Sequence, residues 1–180
     1  YDAAAAAFSR YAQLYPGADD AARAQFHAAL VYGKAREWGK EIRALQEFTG
    51  KFSRSKEAEL LVQAHLRMGL AHRELGQEGE GQRQFAAAVS EFRRRGLKPD
   101  AHPAAAAAAA EAQFRIAEYG FERYDRIALP ATTNAKKLKQ ALAAKLTELK
   151  KVAPLYNEVK AYKRPDWTLA AFYRQAYLLE

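Results

Sequence analysis

Four histidines, His27, His65, His72 and His102, have the most latitude for chemistry in this chain, and no cysteine accompanies them. His65 and His72 stand seven residues apart on one helix face with Glu74 nearby, the closest approach to a metal pair. Two ligands on one helix sit three or four residues apart, because seven places side chains about two turns apart. The pair is therefore read as solvated or packed, and neither metal nor cofactor is assigned. Without cysteine there is no disulfide framework and no thiolate site. HExxH runs, glycine-rich phosphate loops and nucleophile elbows are missing from the sequence. Carboxylates are plentiful, but each has basic neighbours and reads as part of a solvated helix face. No residue stands out as catalytic, and the expectation is a non-enzyme.

The basic side chains are more informative. Lys136, Lys137, Lys139, Lys145, Lys150, Lys151, Lys160, Lys163 and Arg164 fall in one segment with only two Glu, giving it +7 of the chain's net +8. Such a segment suits an acidic protein partner, an anionic membrane surface or nucleic acid, and equally a solvated lysine-rich helix face. Nucleic acid is disfavoured: Tyr156 and Tyr162 fall on the apolar stripe and leave no exposed aromatics for base stacking. A membrane-surface helix would want Trp or Phe on that stripe, which here is Leu, Val and Tyr, and adjacent helices can bury it. No run of about 18 apolar residues occurs, so no membrane span is expected within these residues.

The elements that must position these side chains are helical. At 180 residues the chain is one ordinary domain or a short repeat array with a sizeable core. Its apolar half is rich in Ala and Leu, poor in β-branched residues and free of strand-like alternation, which predicts an all-α fold. Tyr1 lies inside a helical pattern, so a fragment or processed product is expected, with any targeting signal upstream.

In chain order, Tyr1, Ala4, Phe8 and Tyr11 form an apolar stripe ended by Pro16, and Asp19 or Asp20 can cap the next helix. Ala22 to Ser55 carries Tyr32, Trp38, Leu45, Phe48 and Phe52. A spacer, Lys56 to Leu61, is expected to add a turn and a half to the helix that follows. From Val62 to Arg95, Met68-Gly69 sits mid-helix, Gly76 at a turn needing positive φ, Phe85 in the second helix and Ala88 beyond it. Lys98 to His102 is a linker, and Pro103 suits the first turn of a helix that runs through the alanines Ala104 to Ala110 into Phe114, Ile116, Ala117 and Gly120. A loop around Leu129 to Asn134 follows, with Pro130 as breaker and Thr133 or Asn134 as cap. Leu138, Leu142, Leu146, Leu149, Val152, Tyr156, Val159 and Tyr162 then predict one long helix from Lys136 to Arg164, with Pro154 the place for a kink. Pro165 opens a last helix containing Trp167 and Ala170-Ala171.

The Met68-Gly69, Gly76, Phe85 and Ala88 series resembles the tetratricopeptide (TPR) repeat, as does the spacing of Tyr1, Ala4, Phe8, Tyr11 and Pro16. Residues 22–55 follow the pattern with departures: Ala28-Ala29 replaces Leu-Gly, Arg36 replaces the turn Gly, and Glu41 replaces a small Ala. The resemblance implies a single domain over 1–180, an α-solenoid of antiparallel helix pairs with one long basic helix near the C-terminus. Its parts are the second helix of a truncated repeat (1–17), repeats at 22–55 and 62–95, a divergent repeat with a long second helix (103–164), and the first helix of a truncated repeat (165–180). The stretch Asp166 to Arg174 is similar to TPR subunits of bacterial envelope machines, gliding-motility complexes among them. That implies the periplasm or cell envelope, with the cytoplasm as the alternative.

In a TPR superhelix the first helices line a groove that commonly holds a partner peptide or helix. The corresponding residues are Arg23, Phe26, Leu30 and Lys34, then Gln63, Leu66, Arg67, Leu70 and Arg73. On the alanine-rich helix they are Glu111, Phe114, Arg115, Glu118 and Phe121. Phe and Leu mixed with Arg suit an apolar peptide or helix with acidic residues, although Phe26, Leu66 and Phe114 can equally pack between helices. Leu30 and Leu70 stand where carboxylate-gripping TPRs carry Asn, so chaperone-tail binding is not implied. The expected function is a non-enzymatic scaffold for a protein or peptide partner in a larger bacterial assembly. The alternatives are a self-associating structural element, or an adaptor to an acidic partner or anionic membrane surface through 136–164.

Overall fold

The computed structural model describes residues 1–54 and 56–179, so the expected segment ends Ser55 and Glu180 lie outside the described residues. The described residues are all-helical: α1 (Asp2–Leu14), α2 (Ala21–Lys34), α3 (Trp38–Lys51), α4 (Ala58–Glu74), α5 (Glu78–Arg94), α6 (Pro103–Asp125), α7 (Ala135–Val159) and α8 (Pro165–Tyr177). A 3₁₀ turn, Lys160–Tyr162, follows α7. The chain groups into two compact units, Tyr1–Ala112 and Gln113–Glu180, where the sequence reading drew one domain over 1–180.

In the first unit each of α1 to α5 packs on the next, and α2 also touches α4. Turns of three residues join α2 to α3 and α4 to α5, which makes those neighbours antiparallel. Between α2, α3 and α4 a core gathers Phe26, Leu45, Phe48, Leu61 and Met68 around small Ala22, Ala29, Ala44 and Ala64. Phe26 meets Phe48 edge-on at 5.5 Å. On α5 the buried stripe is Phe85, Ala88, Val89 and Phe92. A Cβ on Gly69 would fall on the Phe85 ring, so the small residue makes room for an aromatic.

The helix ends repeat one device. Arg36, Gly76 and Gly96 have φ of 58°, 69° and 62°. The next residue's N–H reaches back to the carbonyl five positions earlier: Glu37 to Tyr32 at 3.0 Å, Gln77 to His72 at 2.9 Å and Leu97 to Phe92 at 3.2 Å. These are Schellman ends, in which a left-handed residue lets the chain reverse while satisfying the last carbonyls. Two use Gly, with Gly76 placed as the sequence predicts; the third holds Arg36 in the same conformation.

Some local expectations change. The spacer extends α4 only from Ala58, about one turn, because Glu57 precedes the helix. Asp20 is the N-cap residue of α2, but its side chain makes no cap bond; Oδ1 accepts from the Tyr11 hydroxyl at 2.7 Å instead. Tyr11 is thus partly exposed at the α1–α2 contact. Pro103 does open α6, and the Ala105 N–H there donates to Glu59 Oε2 at 3.1 Å, a carboxylate at the positive end of a helix.

In the second unit Asn134 caps α7, its Oδ1 accepting the Lys137 N–H at 3.1 Å. The helix runs through Pro154 and ends at Val159, short of the expected Arg164, because the 3₁₀ turn and Lys163 at φ 52° reverse the chain. Its apolar stripe is divided. Val152, Tyr156 and Val159 are fully buried and Tyr162 nearly so, whereas Leu138, Leu142 and Leu146 are exposed. The expectation that neighbours bury the whole stripe therefore holds only for its C-terminal half.

Candidate functional site

A hollow of about 340 Å³ opens where α2, α3 and α4 meet, lined by Gly33, Lys34, Trp38, Glu41, Arg67, Leu70, Ala71 and Glu74. Three of these, Lys34, Arg67 and Leu70, are among the groove residues expected from sequence. At its floor Glu41 retains 1% exposure, and Arg67 Nε donates to its Oε1 at 2.6 Å. Burial lifts the Glu41 carboxyl above its ordinary value, and Arg67, pulling downward by charge and hydrogen bond, does not bring it back. A Cβ on Gly33 would sit 2.7 Å from both Glu41 carboxylate oxygens, so the bare backbone of α2 is what admits the pair. The wall above carries an exposed Lys34, a part-exposed Trp38 and Leu70, and an exposed Glu74. The lining thus offers apolar surface from Trp38 and Leu70 together with the cation of Lys34 and the carboxylate of Glu74. It has no nucleophile–base pair.

The other expected groove residues are not gathered there. Phe26 and Leu66 are buried, and Leu30 packs against the core of α2, α3 and α4. Arg23 pairs with Glu57 at 3.0 Å, Gln63 is half-buried and Arg73 exposed. In the second unit Phe114 stacks between Tyr156 at 5.6 Å and Trp167 at 5.4 Å, with the Arg115 guanidinium 5.7 Å from the Trp167 ring centre. Phe121 is likewise interior, against Tyr177 and under Arg174. Glu118 takes a two-pronged ion pair from Arg174, at 2.9 and 2.8 Å, and a hydrogen bond from the Tyr156 hydroxyl. Burial first, then that bond, push the Tyr156 hydroxyl far above its usual range. Phe114 and Glu118 are therefore spent on internal structure.

The histidines are tied to glutamines: His65 Nδ1 lies 2.9 Å from Gln84 Oε1, and His72 Nδ1 2.7 Å from Gln77 Oε1. Among the described residues no cluster of three His, Cys, Asp or Glu could hold a metal, and no helix is long and apolar enough to cross a membrane. Of the basic segment, Lys136, Lys137, Lys139, Lys150, Lys160 and Lys163 are exposed. Lys151 pairs with Glu148 at 2.5 Å. Lys145 donates to the Ile127 carbonyl at 3.3 Å and sits 4.5 Å over the Tyr124 ring. Lys160 lies 4.8 Å over Phe172, and Arg164 Nε donates to the Tyr162 carbonyl at 3.3 Å.

A second hollow, about 710 Å³, was not anticipated from sequence; Ala4, Ala7, Phe8, Tyr11, Asp20, Arg23, Ala24 and His27 line it between α1 and α2. The signal that could have found it is Tyr11, too large for the position a small residue would fill. No family model, curated protein or solved structure matches the chain.

Proposed function

We propose that this chain is a non-enzymatic, TPR-type interaction scaffold that holds a peptide or helix of a protein partner. Successive antiparallel pairs in the first unit, the α2–α4 contact and the repeated Schellman turns all support the repeat reading. The observation that carries the functional reading is the convergence of Lys34, Trp38 and Leu70 on one open hollow above the Glu41–Arg67 pair. Its occupant would present an apolar side chain to Trp38 and Leu70 and a carboxylate to Lys34. The likeness of Asp166 to Arg174 to envelope TPR subunits extends the proposal to a place in a bacterial envelope assembly.

The test is a cross-linked pull-down from native extract with wild type beside Lys34→Glu/Leu70→Glu. Both side chains project from the hollow, whereas changing Arg67 would strand the buried Glu41. Loss of a captured partner at unchanged helicity supports the reading; a partner retained by both proteins overturns it. A self-associating element is the second reading, favoured by the exposed Tyr1 and, on α1, Phe8, Tyr11 and Leu14. A mass that grows with concentration and reverts in Phe8→Ser/Leu14→Ser would establish it.

A further inference from the structure

The exposed half of α7 joins apolar and cationic side chains in one place. Leu138, Leu142 and Leu146 keep 40%, 45% and 45% of their surface in solvent, and Leu129 in the preceding loop keeps 49%. On a projection at about 100° per residue centred on Leu142, the other two leucines lie roughly 40° to either side. Lys139 and Lys150 border this ridge on one flank and Lys145 on the other. No hydrogen bond or ion pair engages the Lys136, Lys137, Lys139 or Lys150 ammonium groups among the described residues, so their charge is available. From Ile127 to Thr147 the sequence holds no Asp or Glu. The next acid, Glu148, is tied to Arg123 at 3.4 Å and to Lys151 at 2.5 Å.

We infer that the loop before α7 and its N-terminal half form a docking surface for an anionic lipid bilayer. Leu129, Leu138, Leu142 and Leu146 enter the boundary between headgroups and acyl chains, and the lysines lie over anionic headgroups. Three features favour a bilayer over an acidic protein helix. The leucines form a ridge on a single helix, which a flat apolar medium accepts without walls. The apolar surface continues past the helix end into an uncharged loop, where a partner helix would have no register to follow. Lys139 and Lys150 can run their methylene stems along the leucines and lift their heads to the polar layer, while Lys145 stays with the Ile127 carbonyl and the Tyr124 ring. The tyrosines that the sequence placed on this stripe are buried, Tyr156 farther along α7 and Tyr162 in the 3₁₀ turn after it, so leucine alone supplies the insertion.

The test is co-sedimentation of the full chain with vesicles of phosphatidylcholine alone or with about one quarter phosphatidylglycerol, at roughly 0.05 and 0.5 M salt. Wild type is expected to bind the anionic vesicles at least about tenfold more tightly at the lower salt, since each lysine near such a surface adds to the attraction. Lys136→Glu/Lys139→Glu/Lys150→Glu should lose about a hundredfold. Leu138→Ser/Leu142→Ser/Leu146→Ser should lose whatever binding wild type retains at the higher salt. Leu142→Trp should add a blue-shifted emission on anionic vesicles that is absent in buffer. All substituted side chains are exposed, and circular dichroism checks that each variant folds. Failure to sediment with anionic vesicles at low salt overturns the inference. So does equal binding of wild type and both triple variants, or capture of an acidic amphipathic peptide without vesicle binding.

Discussion

Arg67 on α4 donates at 2.6 Å to Glu41 on α3, a carboxylate that is nearly inaccessible to solvent. Desolvating both charges offsets much of their attraction, so the pair specifies how the helices meet more than it stabilises them. Breaking it from one side is another matter. Arg67→Ala leaves Glu41 buried without a counter-charge and should cost about 3–5 kcal/mol in urea unfolding followed by circular dichroism. Replacing both partners with methionine should recover most of that loss.

The pH dependence of this pair has an unusual sign. A carboxyl raised above its unfolded value of 4.5 binds more protons folded than unfolded, so its contribution to stability falls as pH climbs from 4.5 to the raised value, then stays level. Glu91 runs the other way. Burial pushes its carboxyl up, but hydrogen bonds from Arg94 and Arg95 outweigh that and hold it below 4.5. Its contribution is present above 4.5 and is lost as pH falls through the lowered value. Wild type should therefore lose ground to Glu41→Gln as pH rises through the upper window. It should gain ground on Glu91→Gln as pH rises to 4.5, and parallel unfolding curves across both windows measure the two trends.

Gly69→Ala tests the α4–α5 contact. Its Cβ would meet the Phe85 ring, whose side chain is fully buried and has no room to withdraw. A loss of about 1–3 kcal/mol is expected, against the small gain alanine brings to an open helix position. Gly69→Ala/Phe85→Leu should be less destabilised than the sum of its two single changes, which a double-mutant cycle reads directly.

Arg36 offers the opposite case. A non-glycine residue at φ 58° carries roughly 1 kcal/mol of strain, so Arg36→Gly should raise the unfolding midpoint. Gly76→Ala, at φ 69°, should lower it by a similar amount. A lower midpoint for Arg36→Gly would mean that the arginine side chain contributes more than its backbone costs.

Much of this fold is legible in the residues because its signals are local. Gly76, Pro103 and Asn134 mark the turn, start and cap they suggest, and Phe85 faces the glycine its spacing requires. Arg36 shows where such reading stops: the chain reverses there because the packing of α2 and α3 demands it, whatever residue is present. Burial is the least legible part. Leu142 and Val152 belong to one stripe by spacing, yet Val152 is fully buried and Leu142 is 45% exposed, and spacing along α7 cannot say which part of the stripe is covered. The hollow is half legible. Lys34 and Leu70 follow from helix periodicity, whereas Glu41 looked like a mere departure from a small residue until its partner came from α4.

The alanine run at the start of α6 acts as a ruler. Ala105, Ala106, Ala109, Ala110 and Ala112 are all at 0% exposure, while Glu111 between them is not buried. Neighbouring letters inside the run are identical, so a copying slip that adds one alanine changes nothing there. Its effect appears at the edge. With Pro103 and the Glu59–Ala105 bond holding the start, every later residue moves one place, about 100° around the helix, and Glu111 arrives where Ala112 had no contact with water. A stretch that composition alone would pass over as filler thus has a fixed length, enforced by the first charged residue that follows it.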